Sequence, residues 1–151
     1  MSKSKLMGGY VLINRSDVIT IRVPFPNINS KLAVESHMYI CHKASEKQHN
    51  FVKCQTLKPY MLISSPMKHY WDEAPDIKRN PFVRTTRIDC DKDFVTVGVE
   101  YDDCLKAKRR PDVCSDTMSH IDQALKQDGY KSNHVSGTDL VKLNQSYIRV
   151  K

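Results

Sequence analysis

A chain of 151 residues with 40% hydrophobic and 27% charged residues has the size and balance of one ordinary globular domain, and a single domain over 1–151 is expected. No apolar run approaches the ~20 residues of a membrane-spanning helix. The opening MSKSKLMGGY has no apolar core behind its lysines, so neither a membrane protein nor a secreted one is expected. The formal net charge is +7, and all of the excess lies in the first half. Residues 1–70 carry ten Lys/Arg against three acids, whereas 71–151 carry fourteen of each. A basic half points to a polyanionic partner, nucleic acid first; a solvated basic surface is the plain alternative.

Short strands are expected through the first ~100 residues. Gly9 to Ile13 and Asp17 to Val23 are rich in β-branched residues, and the second alternates with the period of two of a half-buried strand. Pro24 and Pro26 stop it, since proline cannot donate to a ladder, and Asn27 to Lys31 is a polar loop. His37 to His42 and Asn50 to Gln55 read as the next two strands. Residues 57–81 hold four of the seven prolines, which predicts a long, strand-poor loop anchored by Tyr60, Met61, Tyr70 and Trp71. Strands resume at Phe82 to Arg87 and Phe94 to Tyr101, with IDCDKD as the turn between them. Lys106 to Pro111 is a basic loop. A helix follows, capped by Ser115 or Asp116, with Met118, Ile121 and Leu125 at helical spacing and Gly129 at its end. The tail, about 130–151, reads as a final strand or an appendage. Many short strands in so small a chain favour a compact barrel.

The five cysteines (Cys41, Cys54, Cys90, Cys104, Cys114) are an odd number without a CxxC pair. Neither a disulfide framework nor a zinc site is expected, and reduced thiols packed as small hydrophobes fit the cytosol. No metal or other cofactor is expected.

The order of these elements resembles the PemK/MazF/Kid family, the ribosome-independent endoribonuclease toxins of toxin–antitoxin modules. DVITIRVPFPN is similar to the family's opening strand. FVKCQT resembles the strand that delivers its active-site threonine, which points to Thr56. FVRTTRIDCDKDFV resembles its arginine and D-K segment, and SDTMSHIDQAL its final helix. The likeness covers about residues 16–126. It implies a mainly β, α+β fold: a small SH3-like, PemK-like barrel with a C-terminal helix and a long proline-rich loop. It also implies a cytoplasmic homodimer that cuts single-stranded RNA without metal and is held inactive by an antitoxin protein. The sequence departs from the family at Glu35-Ser36, where an Arg-Pro pair is usual, and at Thr86, where an acid is usual. A catalytically inactive nucleic-acid- or protein-binding module on the same barrel is therefore the alternative.

Cleavage through the ribose 2′-hydroxyl needs a base for the 2′-proton, a cation for the charge on phosphorus and an acid for the leaving 5′-oxygen. Arg84 and Arg87 are the candidate cations, because a guanidinium fork matches phosphate oxygens; as exposed strand-end charges they would simply be solvated. His37 is the candidate acid or base, with Lys31 beside it in sequence as a further catalytic candidate, and Thr56 the candidate hydroxyl. Tyr70 and Trp71, with Tyr60 and His69, are candidate stacking faces for unpaired bases, and Lys53, Lys58, Lys68, Lys78 and Arg79 candidate backbone contacts. The plain alternative makes those rings anchors for the loop.

Overall fold

The computed structural model describes residues 9–24, 36–64, 67–127 and 129–151. The polar loop expected at Asn27 to Lys31, the candidate Lys31 and the Glu35 departure lie outside them. Two antiparallel ladders dominate: β3 (His37–Ala44) pairs with β2 (Val18–Ile21) on one side and with β4 (Gln48–Thr56) on the other. At nine residues β4 is long enough to serve two partners in succession on its far side. β6 (Thr86–Asp89) pairs with it at Cys54 to Thr56, and β7 (Lys92–Val97) at Gln48 to Phe51. β5 (Tyr70–Glu73) joins outside β6, and β9 (Lys131–His134) runs parallel to β7, completing a seven-stranded sheet.

A second sheet of three strands has the order β1 (Tyr10–Val11), β8 (Val99–Asp102), β10 (Ile148–Val150). The expected barrel is therefore corrected to a mixed α+β fold with two sheets, neither closed. Two features of the backbone account for it. β2 and β5 lie at opposite ends of the main sheet path and do not pair with each other. The run expected as one strand, Phe94 to Tyr101, is broken at Gly98, whose φ of +70° is the left-handed region that favours glycine. That turn carries the chain from β7 in one sheet to β8 in the other.

The core has two parts because β3 and β4 are covered on both faces. On one face Tyr39, Cys41 and Phe51 pack with Phe94, Tyr101, Leu140 and Ile148. On the other, Ile40, Val52, Cys54 and Ile88 meet Met118, Ile121 and Leu125 of α2 (Ser115–Lys126). Burial on both faces explains why HMYICH reads as a continuous apolar run instead of an alternating one. The tail is neither appendage nor lone strand. It forms α3 (Gly137–Leu143) and β10, and Leu140 and Ile148 are 0% and 1% exposed.

The proline-rich segment is also more regular than expected. Pro59 opens α1 (Pro59–Ile63), where its missing N–H is no loss, and β5 follows as an edge strand. All five cysteines are free; Cys41, Cys54 and Cys90 are buried. Burial pushes the Cys41 and Cys90 thiols up to about 12. The helix cap falls on Cys114, one residue before the expected pair, and its side chain makes no cap hydrogen bond. No described helix is long and apolar enough to cross a membrane.

Candidate functional site

The β3–β4 ladder is registered from Met38↔Cys54 inward. Past that pair the two strands end around a cleft of about 590 Å³, closed by α1 and by the 82–84 segment that leads into β6. His37 starts β3 and is half-buried at its mouth. Lys53 and Thr56 come from the last turns of pleat in β4, Lys58 and Tyr60 from the start of α1, and Arg84 from the loop before β6. Six of the residues singled out by sequence thus line one cleft, although they come from four separate stretches of chain. Met38, Met61 and Phe82 supply apolar wall. No carboxylate is among the described lining residues.

The electrostatics follow from that lining. Arg84, Lys58 and Thr56 are exposed, so their polar ends are available to a ligand. Lys53 is half-buried, and desolvation first, then the neighbouring Lys92, push its ammonium below the usual lysine range. A lysine so placed gives up its proton more readily than a solvated one. The site therefore holds an imidazole, a guanidinium, two ammonium groups and a hydroxyl around an apolar floor. Phosphate recognition and proton transfer are chemistry such a set can perform.

Arg87 is not part of this set. Its side chain is 2% exposed. Nε and Nη2 donate to the two oxygens of Asp72 at 2.8 Å each, Nη1 donates to the Met61 carbonyl at 3.1 Å, and Cζ sits 3.7 Å over the Tyr70 ring. Its register opposite Asp72 in β5 and Gln55 in β4 makes it a clamp between strands and α1. Tyr70 is correspondingly stacked on a guanidinium.

Trp71 and Arg79 likewise serve the scaffold. The Trp71 ring stacks on His120 of α2 at 3.7 Å, and its Nε1 donates to Glu73 at 2.9 Å. Glu73, 3% exposed, also accepts from Arg79, Asn80 and Thr117. Burial works to raise its carboxyl, but the four donors outweigh that and hold it below the usual carboxylate range. Arg79 reaches on to Asp116 at 3.0 Å, tying the segment after β5 to α2. His69 is bound to Asp91. Lys68 and Lys78 are exposed and do not line the cleft.

Sequence reasoning missed Ser36, Gln55, Phe82 and Val83 as cleft residues, and it missed the Glu73 hub. Gln55 precedes Thr56 in the same strand, and its only signal was that adjacency; Ser36 had the signal of standing where the resembling family carries its Arg-Pro pair, and Phe82 and Val83 carried none. Among the described residues no group of three or more His, Cys, Asp or Glu could hold a metal ion. The chain matches no protein-family model, no curated protein and no solved structure.

Proposed function

We propose that the cleft binds single-stranded RNA in the cytoplasm and cleaves it with protein side chains as the only catalysts. The observation that carries this reading is the convergence of His37, Lys53, Thr56, Lys58 and Arg84 on one cleft without a carboxylate among its described lining. His37 takes the 2′-proton, the 2′-oxygen bonds to phosphorus, and the bond from phosphorus to the 5′-oxygen breaks. Arg84 meets the charge that develops on the non-bridging oxygens, with Lys58 and the Thr56 hydroxyl positioning the phosphate. Lys53 returns a proton to the leaving 5′-oxygen. The products are a 2′,3′-cyclic phosphate and a free 5′-hydroxyl. One chain supplies every group that these steps use.

Binding without cleavage is the second reading. It is favoured by Arg87, one of two arginines expected to act on phosphorus, being committed to Asp72. The test is incubation of the protein with single-stranded RNA in EDTA, with product ends analysed by mass spectrometry. Cyclic phosphate ends support the first reading. Retarded but intact RNA supports the second, and activity abolished by EDTA and restored by a divalent ion overturns the mechanism. Absence of binding in low salt rejects both.

A further inference from the structure

The cleft does not end at its own rim. A second depression of about 460 Å³ shares Met38 and Val83 with it, and a third of about 440 Å³ shares Thr20, Leu105 and Tyr147 with the second and Ser36 with the first. The three are therefore contiguous. The second is lined by Lys106, Lys108 and Arg109 of the basic loop, and the third by Arg22 and Lys142. No carboxylate is among the described lining of any of them.

How these cations are held decides what they can do. Lys106 faces the Asp17 carboxylate at 3.5 Å, so its charge is partly answered within the fold. Lys108 and Arg109 are anchored differently. Lys108 Nζ donates to the Cys104 carbonyl and Arg109 Nη1 to the Phe82 carbonyl, each at 3.0 Å. Carbonyl oxygens fix the position of a cation without cancelling its charge, and both residues are exposed. Two positioned charges, with no carboxylate paired to either among the described residues, thus border a channel that opens into the cleft. Tyr60 at the cleft end is 59% exposed and Tyr147 at the far end 48%, so each offers a ring to an unpaired base.

We propose that a single RNA strand runs continuously from the Lys58 and Arg84 cleft over the Met38 and Val83 saddle into the channel bordered by Lys108 and Arg109. This rests on the reading of the cleft as an RNA site and adds the path and length of the substrate. The cations line concave channels with aromatic ends, which suits a flexible strand with accessible bases. A bilayer headgroup surface asks for a flat or convex basic face.

The test uses 5′-fluorescein oligouridylates of 4 and 12 nucleotides, 2′-O-methylated so that they cannot be cut, with anisotropy read over a salt series. The 12-mer is expected to bind at least tenfold more tightly than the 4-mer in low salt. Lys108→Gln with Arg109→Gln should weaken the 12-mer about tenfold and flatten its log–log salt slope by about 1.4, since each phosphate contact contributes about 0.7. The 4-mer should be little affected. Lys108→Gln alone, an exposed change, keeps the test valid if the double variant is unstable, with half the change in slope. Equal affinity for both lengths, or a 12-mer indifferent to Lys108 and Arg109 yet sensitive to Arg84→Gln, overturns the path and leaves the cleft reading standing. Failure of either oligomer to bind overturns both. Displacement of the 12-mer by polyglutamate at equal charge reassigns the channel to an acidic protein and overturns the RNA path.

Discussion

Removing the Arg87 guanidinium separates a structural clamp from a catalytic cation. Arg87→Ala deletes two hydrogen bonds to Asp72, one to the Met61 carbonyl and the stacking on Tyr70, all around a side chain that is 2% exposed. Breaking a fully buried pair from one side costs about 3–5 kcal/mol, because the remaining charge is stranded. Asp72 retains 31% exposure, so water relieves part of that penalty. The lost stacking adds about 0.5–1 kcal/mol. A net loss of about 2–4 kcal/mol is expected, a large share of the 5–15 kcal/mol that holds a typical domain together. Urea unfolding followed by circular dichroism reads this directly. With a slope of about 1–3 kcal/mol per molar, the midpoint should fall by roughly 1–2 M. Asp72→Ala should recover part of the loss when combined with Arg87→Ala, as expected for partners in one interaction. An Arg87→Ala protein as stable as its parent but unable to cleave RNA would refute the clamp and return Arg87 to the catalytic set.

Arg84→Ala should behave in the opposite sense. Its side chain is exposed, so the melting temperature should hold, while single-turnover cleavage falls about 10²–10³-fold on loss of one preorganised donor. Glu73 provides a pH signature. Its folded-state carboxyl lies below the ordinary range, so its contribution is present above about pH 4.3 and is lost as pH falls through the folded value. Glu73→Gln should lower the melting temperature at pH 7, and the gap to the parent should narrow towards pH 3; a gap constant with pH would sink this account. Native alkylation with iodoacetamide at pH 7 should label Cys114 before Cys41, Cys54 or Cys90. Hydrogen bonds from Thr117 and the proximity of Arg79 outweigh burial and lower the Cys114 thiol, whereas burial raises the other three. Peptide mapping of the labelled sites checks the order.

Local signals in the sequence determined several elements of this protein. β-branched and aromatic runs mark β2, β3 and β4, and the spacing of Met118, Ile121 and Leu125 marks α2. The Lys106 to Pro111 stretch reads as a loop from its composition and is one. Residue chemistry was legible as well: Arg84, His37, Lys53 and Lys58 stand out as phosphate-binding or proton-transfer types before any geometry is known, whereas Thr56 is singled out only by the family resemblance. Tertiary structure decided the rest, because the deciding interactions join residues far apart in the chain. Whether the strands close into a barrel depends on which edges meet, and β2 and β5 do not. Gly98 reads as the interior of one strand, Phe94 to Tyr101, yet its positive φ passes the chain from one sheet to another. Arg84 and Arg87 are indistinguishable in RTTR. One precedes β6 and faces solvent, while the other lies within the strand opposite Asp72, where a buried charge is tolerable only because its partner sits 2.8 Å away.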